Sequence, residues 1–176
     1  MDGCVSQRWD NEMMNTITLK GIIDEDFVNY RAPSMTLMFP TCSFKCGKDL
    51  CQNQSLKDEK PITVDINKLC KRYINNPITE AVVCQGLEPL DSFDELERFV
   101  SVLRKQYDCQ DPIVIYSGYY PDEIDDKVMI LRKFNNIIIK FGRYIPNSEP
   151  VYDEILGVEL ASNNQFTRRY YANAEV

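Results

Sequence analysis

Short apolar segments of the chain alternate with longer amphipathic segments. The apolar segments, which have the character of buried strands, are residues 34–39, 80–84, 113–116 and 137–139. The amphipathic segments, which predict helices, are residues 65–75, 92–107 and 122–134. Strands that alternate with helices form βαβ units, and such units build a parallel sheet. The sequence therefore predicts an α/β fold with parallel strands.

Local signals refine the boundaries of these elements. Asp65 is a plausible N-cap of the first helix, and Ser92 with Glu95 has the spacing of a capping box for the second. Residues 155–160 are a last candidate strand. Residues 1–17 have no clear period, so we predict an N-terminal arm followed by a single domain over residues 18–176.

A polar loop follows each predicted parallel strand. These loops are residues 42–51, 85–89, 117–119 and 140–143. In parallel sheets and barrels, ligands bind at the carboxyl ends of the strands. We therefore expect the loops to face one cleft.

The loop after the first strand carries Cys42, Cys46 and Cys51 at spacing C-x3-C-x4-C. Thiolates are preferred ligands of iron–sulfur clusters and zinc. Three thiolates can hold three irons of a cubane cluster and leave the fourth iron open to a substrate or cofactor. The alternative is a structural zinc knuckle with Cys84 or Cys70 as fourth ligand, although both also fit the role of small core residues.

Composition excludes several classes of function. The net charge of −7 argues against nucleic-acid binding, whose footprint is basic. The absence of histidine excludes triads that use it as a general base. No apolar run has the length of a membrane span, and residues 1–10 lack the apolar core of a signal peptide, so a cytoplasmic protein is expected. Seven cysteines in such a protein suggest metal ligands or free thiols.

The cysteine loop is followed, after the next strand, by Gln85-Gly86-Leu87-Glu88-Pro89. Together these two motifs resemble those of radical S-adenosylmethionine (SAM) enzymes, which usually carry C-x3-C-x2-C and G-G-E-P. The chain is most similar to the small activating proteins of anaerobic ribonucleoside-triphosphate reductase, in a variant clostridial-type branch. Residues 21–27, 137–143 and 156–165 strengthen the resemblance, which runs over roughly residues 18–168.

The resemblance implies an abbreviated parallel (β/α) partial barrel of the radical SAM type. Cys42, Cys46 and Cys51 would hold a 4Fe-4S cluster whose open iron binds SAM. Reductive cleavage of SAM would then yield a radical that generates a glycyl radical on the partner, anaerobic ribonucleoside-triphosphate reductase. An electron donor such as flavodoxin or ferredoxin would supply the electron.

The resemblance also implies SAM contacts. Gly86 and Glu88, together with Gln85, match the G-G-E-P turn, where the carboxylate receives the ammonium of SAM. Ser117 and Lys140 lie at the next two strand ends. The chain departs from the family in its longer second cysteine gap and in Gln85, and the turn can be matched in two registers. Two plainer roles stay open: Glu88 as a cap of its turn, and Lys140 as a solvated charge.

Two further functions remain as alternatives to the activase. One is a non-catalytic metal module, with zinc or an iron–sulfur cluster, that serves a partner. The other keeps the radical SAM chemistry but acts on a different glycyl-radical enzyme or on a peptide.

Overall fold

The structure is a computed structural model that describes residues 15–172 of the chain. The strands are β1 (Thr16–Leu19), β2 (Gly21–Asp26), β3 (Ser34–Phe39), β4 (Ile62–Asp65), β5 (Ala81–Gly86), β6 (Ile113–Tyr116), β7 (Ile137–Phe141), β8 (Val151–Asp153), β9 (Val158–Leu160) and β10 (Phe166–Tyr170). The α-helices are α1 (Gln54–Asp58), α2 (Ile66–Ile74), α3 (Phe93–Lys105) and α4 (Asp125–Leu131). Short 3-10 helices cover Lys48–Leu50, Pro89–Ser92 and Pro121–Glu123.

A six-stranded sheet in the order β10-β7-β6-β5-β3-β2 forms the centre of the fold. Its inner strands β3, β5, β6 and β7 are parallel, as the sequence predicts. The outer strands β2 and β10 run antiparallel to their neighbours. The fold is therefore α/β with a mixed sheet, which has a parallel centre and antiparallel edges.

The last predicted strand is wrong over half of its length. Only its end is extended, as β9, which pairs with β8 in a separate two-stranded sheet. Between them lies a turn in which Gly157 has a φ of +72° and its N–H bonds the Asp153 carbonyl at 2.7 Å. The side chain of Asp153 also accepts the N–H groups of Ile155 and Leu156, each at 2.9 Å. These bonds favour the turn over a continuous strand.

The two faces of the sheet are covered differently. Helices α2, α3 and α4 pack on one face, where alternate strand residues such as Val82 and Ile115 join the larger apolar core. The opposite face carries the residues in between, such as Val83 and Val114, and is covered by Tyr30 and residues of the β8–β9 region. This two-sided burial explains why the inner strands are continuous apolar runs.

The helix caps agree with the sequence in one case and disagree in the other. The Asp65 side chain accepts the N–H of Lys68 at 2.8 Å, so it caps α2 as predicted. The prediction of a capping box at the start of α3 is wrong, because the Glu95 carboxylate accepts the backbone N–H and the hydroxyl of Thr18 in β1 instead. The Ser92 hydroxyl lies 2.7 Å from that of Thr41.

The predicted N-terminal arm lies almost entirely outside the described residues. Its last two residues belong to β1, which pairs antiparallel with β4. Among the residues that the structure describes, no helix has the length and apolar character needed to cross a lipid bilayer.

Candidate functional site

The carboxyl ends of the parallel strands meet at one edge of the sheet. Phe39 pairs with Gly86 at the ends of β3 and β5, and Tyr116 pairs with Lys140 near the ends of β6 and β7. A cavity of about 310 Å³ opens at this edge, a size at the lower end of ligand sites. Its lining includes every site residue predicted from the sequence: Cys42, Cys46, Cys51, Gln85, Gly86, Glu88, Ser117 and Lys140.

The cysteine loop, defined as residues 42–51, begins three residues after β3 and folds as two tight turns. Phe44 and Gly47 have positive φ angles of 53° and 94°. The long second gap is taken up by the 3-10 helix Lys48–Leu50, in which the N–H of Leu50 bonds the Gly47 carbonyl at 3.2 Å. A 3-10 helix turns in three residues, so the additional residues add a turn while the loop stays compact.

The thiols of the loop are partly buried and influence one another. Burial raises the pKa of Cys42 to about 11, although the N–H of Phe44, 3.2 Å from its Sγ, stabilises the thiolate. Burial, and then the neighbouring Cys51, raise the pKa of Cys46. The Cys42 and Cys46 thiols are therefore protonated at neutral pH without a metal, and metal binding has to release their protons.

The two cysteines that could complete a zinc knuckle belong to the core. Cys70 on α2 and Cys84 on β5 are fully buried in the apolar core on the helical face of the sheet. Within residues 15–172, no three Cys, Asp or Glu side chains converge as they would on a single metal ion. A cubane cluster makes a different demand, since each thiolate binds its own iron. The three loop thiols that line one cavity fit that donor set.

Gly86 ends β5 in a conformation that favours glycine. Its φ is +101°, and a Cβ atom there would lie 2.7 Å from the backbone nitrogen of Phe39. The Gly86 carbonyl accepts the side-chain N–H of Asn53 at 2.5 Å. The turn after β5 thus passes close to β3 and to the chain just beyond the cysteine loop.

Glu88 is a buried carboxylate that lines the cavity, with 5% of its surface exposed. Its oxygens accept the N–H of Gly118 at 2.8 Å and the N–H of Leu90 at 3.2 Å, so Glu88 does cap its turn. Burial raises its pKa to about 7, and the hydrogen bonds from Gly118, Leu90 and Ser117 partly offset that rise. A cation placed in the cavity would favour the ionised form.

The raised pKa of Glu88 makes the stability of the cluster-free protein depend on pH. The folded state holds the proton up to about pH 7, whereas the unfolded chain releases it near 4.5. The free energy of unfolding should therefore fall by on the order of 3 kcal/mol as the pH rises through this interval. The measurement is urea unfolding at pH 5 and pH 8, and Glu88→Gln should abolish this decrease in the free energy of unfolding between the two pH values. Glu159→Gln, which changes an exposed acid of the same cavity, should show the same decrease in the free energy of unfolding as the wild type.

Lys140 is not the solvated charge that the sequence allowed. It is buried, with 6% of its surface exposed, and its Nζ donates to the carbonyls of Gly142 at 2.8 Å and Ser117 at 3.2 Å. Burial lowers its pKa to about 8, and the negative charge of Glu88 opposes that shift. The hydroxyl of Ser117 accepts the N–H of Tyr119 at 3.0 Å, which shapes the loop after β6.

A hydrogen-bond network beside the cysteine loop was not predicted from the sequence. The carboxylate of Asp91 accepts the backbone N–H of Ser43 and the hydroxyl of Tyr119, each at 2.6 Å. The Lys45 Nζ lies 4.7 Å from the centre of the Tyr119 ring. It is also 3.5 Å from a carboxylate oxygen of Glu123. Because these partners lie far apart in the sequence, no local motif marks them.

Arg143 lines the cavity but was not among the predicted site residues, although it closes the stretch Lys140-Phe141-Gly142-Arg143 that carries part of the family resemblance. It pairs with Glu123 and lies over the ring of Tyr120, with 5.3 Å between the guanidinium carbon and the ring centre. The available signal was its position in a loop that the sequence already predicts to face the cleft.

Comparison with known proteins gives one family. A family model described as "4Fe-4S single cluster domain" matches residues 30–165, which is more than half of the chain. The matched range contains the cysteine loop and every other residue predicted for the site. A search of curated proteins found no match.

Proposed function

Because the chain belongs to the 4Fe-4S single cluster domain family and is thus an iron–sulfur protein, we propose that it is a radical SAM activase. Its substrate would be a glycine of anaerobic ribonucleoside-triphosphate reductase. The sheet and its helices would form an abbreviated (β/α) partial barrel. The protein would act in the cytoplasm. An electron donor such as flavodoxin or ferredoxin would serve as the reductant.

One observation carries the proposal. Three loop cysteines and the turn Gln85-Gly86-Leu87-Glu88 line the same cavity at the carboxyl ends of parallel strands. A zinc knuckle needs no such companion, whereas a cluster with an open iron needs a neighbouring site for its organic ligand. The buried carboxylate of Glu88 lies beside the cysteines in the same cavity, which favours a cluster with a bound organic ligand over a zinc knuckle.

The residues have distinct roles in the proposal. Cys42, Cys46 and Cys51 hold the cluster, which when bound supplies the electron that cleaves the sulfonium of SAM. Glu88, already buried and oriented by the N–H groups of Gly118 and Leu90, receives the ammonium of SAM.

Lys140 serves as a support in this proposal. Its ammonium holds the carbonyls of Ser117 and Gly142 together, so it joins the loops after β6 and β7. Lys140 therefore links the loop that orients Glu88 to the loop after β7. Ser117 contributes through the N–H of Tyr119 that its hydroxyl accepts.

The test of the proposal is anaerobic reconstitution followed by assay with the partner. We expect about four irons and four sulfides per chain, and formation of 5′-deoxyadenosine from SAM with a reductant. Addition of the reductase should give the doublet electron paramagnetic resonance signal of a glycyl radical. A cluster without deoxyadenosine would favour the non-catalytic module. Deoxyadenosine without the glycyl signal would favour another glycyl-radical enzyme or a peptide.

Glu88→Gln should weaken the binding of SAM to the reconstituted protein. The change removes the charge that faces the ammonium, and a charge-assisted hydrogen bond contributes roughly 1.5–3 kcal/mol. The dissociation constant, measured by calorimetry, should rise about 10- to 150-fold. The iron content should not change.

The matched control is again Glu159→Gln, because Glu159 is an exposed acid that lines the same cavity. Its replacement alters the charge of the cavity by the same amount. Equal SAM affinity in the wild type and in Glu88→Gln would place the ammonium elsewhere. Equal weakening in both variants would mean that the net charge of the cavity, and no particular carboxylate, attracts the ligand.

A further inference from the structure

We infer that Asp91 and Asn53 are positioning residues that fix the two ends of the cysteine loop on the turn after β5. They thereby determine how firmly the loop holds a cluster and at what potential. The inference rests on the proposed function, which assigns the cluster to this loop. Each residue acts through the loop, and neither is assigned a contact with the cluster or with SAM.

Asp91 holds the beginning of the loop. It lies in the 3-10 helix Pro89–Ser92, directly after the turn that contains Glu88. One carboxylate oxygen accepts the backbone N–H of Ser43 at 2.6 Å, and the other accepts the hydroxyl of Tyr119 at 2.6 Å. The Tyr119 oxygen is also 3.0 Å from the Ser43 hydroxyl. The three residues form a closed set of hydrogen bonds that joins the loops after β3, β5 and β6.

The position of Ser43 gives this network a chemical consequence. Ser43 lies between Cys42 and Phe44, and the N–H of Phe44 donates to the Cys42 sulfur at 3.2 Å. Hydrogen bonds to the ligating sulfurs help to set the potential of an iron–sulfur cluster. Because Asp91 fixes the peptide between the donor and the sulfur, it fixes the geometry of that bond.

Asn53 holds the end of the loop. It follows Cys51 by two residues, and its side-chain N–H donates to the Gly86 carbonyl at 2.5 Å. Between the two ends lies the 3-10 helix Lys48–Leu50, which fills the lengthened second gap. A longer loop has more conformations to lose when it closes on a ligand, so a tether at each end reduces that cost.

The backbone already joins the same two segments at their base. The N–H of Leu87 bonds the Phe39 carbonyl at 3.1 Å, and the N–H of Glu88 bonds the Thr41 carbonyl at 2.7 Å. These bonds stop immediately before Cys42. Among the described residues, the side chain of Asp91 continues this contact at the beginning of the loop, and the side chain of Asn53 restores it just beyond the end of the loop.

The decisive variant is Asp91→Ala, with Asp94→Ala as its matched control. Asp94 is an exposed acid at the start of α3, three residues further along the chain. In reconstituted full-length protein, loss of iron to a chelator should be roughly tenfold faster in Asp91→Ala than in the wild type, the scale of losing a partner that orients a metal ligand. The cluster potential should also shift. Asp94→Ala should match the wild type in both measurements.

Hydrogen exchange of the cluster-free protein provides a readout that does not involve the metal. The amide of Ser43 should exchange faster in Asp91→Ala, and the amides of residues 47–51 should exchange faster in Asn53→Ala. The neighbouring Gln52→Ala is the control for Asn53→Ala. If Asp91→Ala does not fold, Tyr119→Phe, which removes only the hydroxyl bound to Asp91, should still accelerate iron loss.

The possible failures can be distinguished. A wild-type protein that takes up no four-iron cluster would refute the proposed function, and with it this inference. A wild-type cluster with the same iron-loss rate and potential in Asp91→Ala, Asn53→Ala and both controls would refute the inference alone. Equal acceleration by Asp91→Ala and Asp94→Ala would show a general effect of acidic charge and would also refute it.

Discussion

Replacement of Cys42, Cys46 or Cys51 singly by alanine is expected to abolish the 4Fe-4S cluster. Each thiolate would be the sole protein ligand of one iron, and the loop holds no fourth cysteine and no histidine that could take its place. Reconstituted variants should lose the brown colour, the visible absorbance and at least most of the four irons. Iron and sulfide analysis after desalting under anaerobic conditions measures the effect.

Cys70→Ala and Cys84→Ala are the matched controls for these variants. Both residues are fully buried in the helix-facing core and neither lines the cavity. Each replacement should cost on the order of 1 kcal/mol of packing and leave the cluster content at the wild-type level. A loop variant that retains all of its iron, or a core variant that loses it, would contradict this assignment of ligands. Stoichiometric zinc without iron in the wild type would contradict the cluster itself.

Gly86→Ala is expected to destabilise the protein by about 2–4 kcal/mol. The new Cβ atom would lie 2.7 Å from the Phe39 nitrogen and 3.0 Å from two backbone atoms of Met38, and the residue has a φ of +101°. Backbone atoms of a central parallel strand cannot move aside as a flexible side chain can. Urea unfolding of the cluster-free protein measures the loss as a lower midpoint at an unchanged slope.

Gly118→Ala is the control for Gly86→Ala. A Cβ atom at Gly118 meets Glu88 Oε2 at 3.6 Å and Arg143 Cγ at 3.8 Å, which are ordinary contacts, and its φ is not positive. This variant should remain within about 1 kcal/mol of the wild type. Similar midpoints for the two alanine variants would mean that β3 and the β5 turn separate more easily than their close approach indicates.

The centre of the fold could be predicted from the sequence because its signals are local. The apolar runs of β3, β5, β6 and β7 are buried on both faces, so each run is visible by itself. Once these strands are taken as parallel, their carboxyl ends must share an edge, and the loops that line the cavity follow.

The edges of the sheet could not be predicted in the same way. β2 has the sequence Gly-Ile-Ile-Asp-Glu-Asp and β10 the sequence Phe-Thr-Arg-Arg-Tyr, and neither has the apolar run of a buried strand. Their assignment depends on pairing with β3 and β7, which is a tertiary property. The misassigned cap at Glu95 has a similar cause, since its partner Thr18 is 77 residues away in the chain.

The hydrogen bonds that hold the cysteine loop could not be predicted either, because they too join distant parts of the chain. The chain separates Asp91 from Ser43 by 48 residues and from Tyr119 by 28. An acid followed by serine at a helix start predicts a cap, and no pattern in that stretch indicates a bond to a distant loop. The ligands of a site can thus be identified from spacing, while the groups that orient them require the fold.

The 3-10 helix inside the cysteine loop has a consequence for how such proteins are detected. One tight turn takes up part of the chain between Cys46 and Cys51, so the number of residues in this gap is a poor guide to the distance that the chain spans. An added turn of this kind lengthens the gap between two cysteines while advancing the chain by only a short distance. A search pattern with a fixed interval between cysteines would overlook such a sequence, whereas a pattern anchored on the preceding strand and the glycine of the next turn would recover it.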